Sequence, residues 1–126
     1  MTKYLFIMIF LHIVDDFYLQ KQGALATLKQ KSWWEEQPDY GRQYRYDYKC
    51  ALIIHSFSWT FMIMLPYTIL CGCEPLNDYI YIFAFNMAIH YMTDDMKAND
   101  KLMNLATDQL IHLGQIAITY VCLFLR

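Results

Sequence analysis

Three histidine–aspartate pairs, each spaced four residues apart, fall inside or beside apolar stretches of this chain. Residues four apart on an α-helix project from the same face. An imidazole and a carboxylate on one face form half of a metal site. A fourth histidine, His55, lies alone in another long apolar stretch. The pairs are His12/Asp16, His90/Asp94 and Asp108/His112.

Composition places the chain among single-domain membrane proteins. A length of 126 residues leaves no room for a second independent core. Hydrophobic residues make up 57% of the chain and charged residues 17%, against about 25% charged in an ordinary soluble domain. The net charge of -2 gives no reason to expect a nucleic-acid partner.

Four apolar segments predict four membrane spans. A helix rises about 1.5 Å per residue, so ~20 residues cross the ~30 Å hydrocarbon core. The first segment is too short to span unless Asp15, Asp16 and Gln20 lie within the membrane layer. No small-residue cleavage site follows this segment, which favours a retained span over a signal peptide. The spans are expected at approximately 4–19, 48–70, 76–92 and 102–125.

The connections between these segments predict the architecture. The only sizeable polar segment, approximately 21–47, contains Trp33 and Trp34, a pair typical of the membrane–water interface. The other two connections are short, and short loops force neighbouring helices to run antiparallel. The sequence therefore predicts an all-α fold, an integral membrane up-down four-helix bundle in a single domain.

Basic residues predict the orientation of this bundle. Of the ten Lys and Arg residues, two lie in the third connection, Lys97 and Lys101, and only Lys3 and Arg126 lie at the opposite end. By the positive-inside rule, the first and third connections face the cytoplasm, and both termini of this multi-pass protein lie outside the inner membrane. The six basic residues of the first connection are Lys21, Lys29, Lys31, Arg42, Arg45 and Lys49.

With alternating helix directions, the polar residues come to one depth. They fall late in the first and third spans and early in the second and fourth, which is the same side in each case. Seven side chains are therefore candidate metal ligands near the cytoplasmic face: His12, Asp16, His55, His90, Asp94, Asp108 and His112. The polar faces continue by one turn through Gln20, Asn86, Lys97 and Gln115.

The cost of burying charge favours a bound cation. An ionisable side chain inside a bilayer costs several kcal/mol unless it is paired. A divalent metal would neutralise the carboxylates and fix the imidazoles. Seven ligands exceed the four of a tetrahedral zinc, which leaves open a two-metal site or outer carboxylates that orient the histidines. A mixed His/Asp set suits Zn²⁺, or Mn²⁺ or Fe²⁺, better than Ca²⁺ or Mg²⁺.

Each of these residues also has a simpler interpretation. His55 alone would be a core histidine with satisfied hydrogen bonds, and one His/Asp pair can simply stabilise its helix. Asp15 and Asp95 adjoin paired aspartates but point about 100° away on an α-helix, so both are expected to be solvated or interfacial. Lys97 either extends its ammonium towards the interface or binds an anion. The dispersed cysteines lack a C-x-x-C pattern and are expected to be structural or incidental.

The order of these motifs resembles a known family. The opening run from His12 to Gln20 is similar to the H-x-x-x-D-F-x-L-Q motif of the bacterial and phage membrane family called domain of unknown function 3307. The later elements match in order, as a histidine in the second helix, H-x-x-x-D-x-x-K from His90 to Lys97, and D-Q-x-x-H from Asp108 to His112. Asp15 departs from that pattern, where a small residue is common. The family has no settled activity, but its pattern is similar to that of proteins labelled membrane-bound metal-dependent hydrolases.

Three functions are compatible with this pattern. The first is a metal-dependent hydrolase at the membrane interface, in which Asp16 or Asp94 accepts a proton from metal-bound water and Lys97 steadies an anionic lipid-linked or membrane-associated substrate. The second is a metal-ion transporter, for which four spans are few unless the chain forms a homo-oligomer. The third is a non-catalytic interaction protein whose metal holds the bundle together.

Overall fold

The computed structural model describes residues 2–19 and 25–125, and all regular structure in those two ranges is helical. Six α-helices are numbered here in chain order, and two short π-helical segments interrupt the series. The α-helices are α1 (Thr2–Ile13), α2 (Leu25–Leu28), α3 (Lys31–Glu35), α4 (Asp47–Cys71), α5 (Leu76–Ala98) and α6 (Leu105–Phe124). The π-helical segments are Val14–Leu19 and Tyr40–Tyr44.

Four long helical rods form the bundle. The first consists of α1 and the π-helical turn that follows it, and the others are α4, α5 and α6. Helix α4 packs against α1 and α5, and α6 closes the ring by packing against α5 and α1. The end of α1 meets the start of α4, the end of α5 and the start of α6, so adjacent rods run antiparallel.

Local chemistry explains where these helices begin and end. Helix α4 stops at Gly72, whose φ of 66° lies in the left-handed region that favours glycine. Helix α6 starts after Asn104, whose side chain accepts a hydrogen bond from the Thr107 backbone N–H at 2.9 Å. Helix α5 runs on to Ala98, beyond the predicted span, and so carries Asp94 and Lys97 as helical residues.

One helix of the described residues, Asp47–Cys71, is long and apolar enough to cross a membrane. It has 25 residues and a mean hydropathy of 1.4 over its most apolar window. The buried core helix of a soluble protein can have the same length and composition. The polar residues Asp108, Gln109 and His112 lower the hydropathy of α6, although its 20 residues are enough to cross the hydrocarbon layer. Length and hydropathy together therefore single out only α4 among the described helices.

Apolar and polar side chains are distributed unusually between interior and surface. Among the described residues the interior holds slightly more polar than hydrophobic side chains, whereas many large apolar side chains face outward. Phe6, Ile69 and Tyr81, for example, are each at least 70% exposed. The buried apolar cluster, called here the apolar core, is Met8, Trp59, Ile63, Met64, Tyr67, Tyr79, Ile116, Tyr120 and Phe124.

The predicted polar connection contains folded structure and covers one end of the bundle. Trp34 Nε1–H donates to the Leu28 carbonyl oxygen at 2.6 Å, which holds α3 against α2. Asn99, at the end of α5, binds this segment through two hydrogen bonds, called here the Asn99 clasp. Its Oδ1 accepts from the Lys31 backbone N–H at 2.7 Å, and its Nδ2 donates to the Lys29 carbonyl oxygen at 3.2 Å. The clasp fixes the backbone on both sides of residue 30 beside the polar end of the bundle.

Candidate metal centre

The π-helical turn Val14–Leu19 changes which residues of the first rod face inward. Asp15 was expected to be solvated or interfacial, and that expectation is wrong, because its side chain is 1% exposed. The expectation assumed α-helical geometry, in which adjacent residues diverge by about 100°. A π-helix closes its hydrogen bonds over five residues, so it is wider and turns less per residue. Asp15 and Asp16 therefore both reach the interior, and Ser58 Oγ–H donates to Asp15 Oδ1 at 2.7 Å.

The four histidines, one from each rod, meet in a single buried cluster. His55 Nε2 lies 2.8 Å from His90 Nε2, and His90 Nδ1 lies 3.2 Å from His112 Nδ1. The centres of the His12 and His112 rings are 5.7 Å apart. All four side chains are at most 2% exposed. The structure thus brings together the histidines that the sequence placed at one depth.

Two overlapping sets of these side chains can each hold a metal ion. One set is Asp16, His55 and His90, and the other is His90, Asp94 and His112. Within each set the potential ligand atoms lie within 4.8 Å of one another. Ligands of a tetrahedral metal with bonds of ~2.0–2.1 Å lie about 3.3 Å apart. Asp16 Oδ1 lies 3.7 Å from His55 Nε2, and Asp94 Oδ1 lies 3.5 Å from His112 Nε2, both within a few tenths of an ångström of that value. His90 belongs to both sets.

Asp94 connects the histidines to one another. Its Oδ2 lies 3.0 Å from His55 Nε2, and its Oδ1 lies 3.5 Å from His112 Nε2 and 3.8 Å from His90 Nε2. The Lys29 ammonium, held over the site by the Asn99 clasp, donates to the same Oδ2. Sequence reasoning did not assign Lys29 to the site, because the residue lies in the polar connection far away in sequence.

Hydrogen bonds fix the orientation of the His112 ring and its proton. Gln115 Nε2–H donates to the Asn86 carbonyl oxygen at 3.1 Å, so Gln115 Oε1 is the atom that faces His112 Nδ1 at 3.2 Å. An amide oxygen only accepts, so His112 Nδ1 carries a hydrogen, and Nε2 is the ring atom that faces the carboxylates. His112 Nε2 lies 3.3 Å from Asp108 Oδ1 and 3.5 Å from Asp94 Oδ1.

Two of these buried atoms have no hydrogen-bond partner. His112 Nε2 and Asp108 Oδ1 are both fully buried and neither takes part in a hydrogen bond, although the 3.3 Å between them is short enough for one. Their alignment is therefore wrong for a hydrogen bond. A buried polar atom without a partner is destabilising and calls for an explanation. A cation bound close to His112 Nε2 would interact favourably with that nitrogen and with the neighbouring carboxylates.

The structure does not place His12 in either ligand set. Trp59 Nε1–H donates to His12 Nδ1 at 2.7 Å, so Nε2 carries the hydrogen and donates to Gln109 Oε1 at 3.0 Å. Both ring nitrogens are thus occupied, which makes His12 a support for the centre. Trp59 also stacks on His90, with ring centres 4.2 Å apart and planes 16° from parallel.

Asp108 and Lys97 form a neighbouring ion pair at the edge of the centre. Lys97 Nζ donates to Asp108 Oδ2, and Gln109 Nε2 donates to the same oxygen at 3.0 Å. Asp108 belongs to neither ligand set, although its other oxygen lies beside His112. Asp95 is partly buried and accepts from Asn99 Nδ2 at 2.6 Å, away from the histidines. Gln20, predicted to extend the polar face, lies outside the described residues.

Sequence reasoning missed Asp15, Trp59 and Gln109 as members of this network. Gln109 directly follows Asp108 and appears in the D-Q-x-x-H run, so its proximity to the site was readable. Trp59 lies one helical turn after His55, which places both on one face of α4. No sequence signal indicates the π-helical turn that brings Asp15 inward.

Comparisons with known proteins give no independent guide. No family model matches the chain, and no match is found among curated proteins or among solved structures. The resemblance to the domain of unknown function 3307 family stays a prediction.

Proposed function

We propose that this chain is a multi-pass membrane protein whose histidine–aspartate centre binds a divalent metal and hydrolyses a substrate at the cytoplasmic surface. The observation that carries the proposal is the convergence of three histidines and two aspartates in two sets, within each of which the potential ligand atoms lie within 4.8 Å of one another. Zn²⁺ suits the mixed ligands best, and Mn²⁺ or Fe²⁺ are alternatives.

The membrane part of the proposal is supported by the inverted distribution of side chains. Exposed apolar residues occur on all four rods, including Phe10, Ile54, Phe85 and Leu110. A soluble protein rarely exposes such extended apolar surface, whereas lipid tails solvate it. The polar interior then follows, because ionisable side chains in a membrane face the interior of a bundle. The same features accord with the resemblance to the membrane family.

Native cysteines provide a test of the proposed orientation. Cys71 and Cys73 are exposed at one end of the bundle, and Cys50 is exposed near the start of α4. In intact cells a membrane-impermeant maleimide should label Cys71 and Cys73, while Cys50 should react only after the inner membrane is opened. Variants that keep a single exposed cysteine and also carry Cys122→Ser allow the labelling of each exposed cysteine to be measured separately. Labelling of Cys50 in intact cells would overturn the orientation, and extraction of the protein without detergent would overturn the membrane assignment.

The chemistry follows from which carboxylates reach solvent. A bound metal supplies a Lewis acid that lowers the pKa of water towards neutrality. Asp16 is 11% exposed and lines an open cavity, whereas Asp94 is only 3% exposed and contacts three histidines. We assign Asp94 to metal binding and Asp16 to proton acceptance. Gln109 Nε2, 3.4 Å from Asp16 Oδ2, orients this carboxylate.

Metal analysis and hydrolysis together test this assignment. Detergent-purified protein should contain about one divalent metal per chain, and a content below about 0.1 would end the proposal. Asp16→Asn should retain the metal and the fold but lower the hydrolysis rate by at least about 100-fold, because a general base contributes 10²–10⁴-fold. A panel of chromogenic phosphate, carboxylate and peptide esters provides the readout. Full activity in Asp16→Asn would overturn the role of Asp16.

Transport is disfavoured by the apolar core. The polar network continues from His112 through Gln115 and Asn86 to Thr119, whose Oγ1 accepts from Asn86 Nδ2 at 2.7 Å. Beyond it the rods are packed with buried apolar side chains such as Ile63 and Ile116. A cation would have to pass this layer to cross the bundle.

A structural metal is the remaining alternative, favoured because every rod contributes at least one candidate ligand to the two sets. The two functions differ in what metal removal does. For a structural metal, chelation should unfold the bundle. For the catalytic centre proposed here, chelation should abolish hydrolysis while helicity, followed by circular dichroism, persists.

A further inference from the structure

A lysine-lined cavity opens directly onto the candidate metal centre. Its volume is about 510 Å³, within the ~300–1,000 Å³ of small-molecule sites. Asp16 and Asp94 form part of its wall, so the cavity reaches two of the candidate ligands. A recess of about 50 Å³ borders many of the same residues and extends to Gln109. That volume exceeds what one water needs, so solvent can reach the centre from this side.

Three ammonium groups surround this cavity. They belong to Lys29, Lys97 and Lys101, which come from two segments brought together by the Asn99 clasp. Lys29 contacts Asp94, and Lys97 contacts Asp108. Lys101 is exposed and has a φ of 56°, a left-handed conformation that is strained for a residue with a Cβ. Phe17 contributes an apolar surface to the same wall.

We propose that this cavity binds a phosphoryl group, so that the substrate of the proposed hydrolase is a phosphate ester. The inference rests on the proposed metal centre, because a metal on Asp94 neutralises the carboxylate that now holds Lys29. The Lys29 ammonium then turns from the aspartate to a phosphate oxygen, and Lys97 lies on the same wall of the cavity. Lysine is a common phosphate ligand that acts as a point charge. Three ammonium groups beside a metal suit a dianion better than a singly charged, planar carboxylate.

The same chemistry serves a soluble phosphate ester and a lipid phosphate headgroup. The cavity lies at the end of the bundle that basic residues assign to the cytoplasmic surface, so both sources have access. The probes are inorganic phosphate in solution and phosphatidic acid in uncharged detergent micelles. Phosphatidylcholine micelles are the control for a phosphate diester with hindered oxygens. Acetate is the control for a carboxylate.

The first experiment measures binding of these probes to zinc-loaded protein by calorimetry at fixed ionic strength. Phosphate or phosphatidic acid should bind at least about tenfold more tightly than acetate, a difference of 1.4 kcal/mol. Binding of phosphate alone indicates a soluble ester, and binding of phosphatidic acid alone indicates a lipid substrate. Equal affinity for acetate and both phosphate probes would overturn the phosphoryl assignment.

Lysine variants show whether the cavity is the binding site. The double variant Lys97→Gln/Lys101→Asn should weaken phosphate binding about tenfold or more, while Lys97→Arg should retain it. Asparagine tolerates the left-handed conformation at position 101, so this change removes charge with little backbone cost. Lys49→Gln, an exposed lysine that does not line the cavity, is the matched control. An equal loss in Lys49→Gln and the double variant would contradict the site.

Metal content, measured on the same samples, separates this inference from the proposed function. Protein that binds zinc but shows no lysine-dependent phosphate binding would overturn the phosphoryl cavity and leave the metal centre standing. Protein that binds no metal but binds phosphate through Lys97 and Lys101 would overturn the metal centre and support the anion cavity. Phosphate affinity that is at least about tenfold higher with zinc than after chelation would support both, because coupling between two bound ligands is reciprocal.

Discussion

The two ends of this bundle are built from the same four rods but are held together differently. At one end, histidines and aspartates from every rod meet in hydrogen-bonded and charged contacts. At the other, Met8, Ile63, Tyr67 and Phe124 pack in the apolar core. Trp59 belongs to both, because its ring packs in the core while its N–H donates to His12.

This difference separates the requirements of folding from those of function. Apolar side chains stabilise a bundle through close packing, which does not require a specific partner for each atom. Buried charges cost free energy unless every polar atom is satisfied, and here His112 Nε2 and Asp108 Oδ1 are not. If the chain had only to fold, an entirely apolar interior would be sufficient. The polar end therefore has the character of a binding site, and the predictions below test this division.

The largest effect is expected for His90→Ala, which removes the histidine common to both ligand sets. Structural zinc sites gain about 10–16 kcal/mol, so one of four ligands accounts for roughly 2.5–4 kcal/mol, or about 60- to 700-fold in affinity. Zinc titration against a fluorescent competitor measures the loss. Thr93→Ala, a buried change on the same helix that touches no ligand, is the control and should leave affinity unchanged. Equal zinc affinity in wild type and His90→Ala would show that the polar end holds no metal through these sets.

The next effect is expected at the opposite end. Ile63→Ala removes a fully buried side chain from the apolar core and should lower the free energy of unfolding by at least about 2 kcal/mol, because a cavity remains. Zinc affinity should not change. Ile54→Ala makes the same substitution on α4 at a position that is 57% exposed and should have little effect on stability in detergent. A loss of zinc affinity in Ile63→Ala would contradict the division between the two ends.

The four-residue spacing was sufficient to place the paired histidines and aspartates at the polar end, but it predicted neither the other members of the network nor its geometry. His90/Asp94 and Asp108/His112 lie on α-helices, where the rule holds, and both pairs face the interior. Asp15 lies on a π-helical turn, which no local propensity indicates, and its burial was missed. His12 was predicted as a metal ligand; it lies in the cluster, but both of its ring nitrogens form hydrogen bonds, with Trp59 and Gln109 on other rods. Such contacts depend on packing between helices, which spacing within one helix does not specify.

A smaller effect is expected for Trp59→Phe, which connects the two ends. Phenylalanine keeps a ring against His90 but removes the N–H that orients His12. Loss of an outer hydrogen-bond partner weakens metal binding by 10–100-fold in other metal sites. We expect about tenfold here, because His12 is not itself a ligand and acts on the centre through Gln109 and through Asp16, whose Oδ2 lies 3.5 Å from His12 Nδ1. The substitution should have less effect in a His12→Ala background. An equal effect in both backgrounds would show that Trp59 acts through packing alone.

The smallest effect is expected for Asn104→Ala, at the polar end but outside the centre. Asn104 is exposed and caps α6 by accepting from the Thr107 N–H, so its loss should cost about 1 kcal/mol and lower Tm by about 4 °C. Asn104→Asp keeps the cap and should leave Tm near that of the wild type. Zinc affinity should be unchanged in both variants, since Asp108 and His112 lie further along the helix, beyond the first unpaired N–H groups. If zinc affinity and Tm fell together in Asn104→Ala, metal binding at the polar end would depend on the stability of α6. The distinction between the two ends, on which the assignment of the site depends, would then be lost.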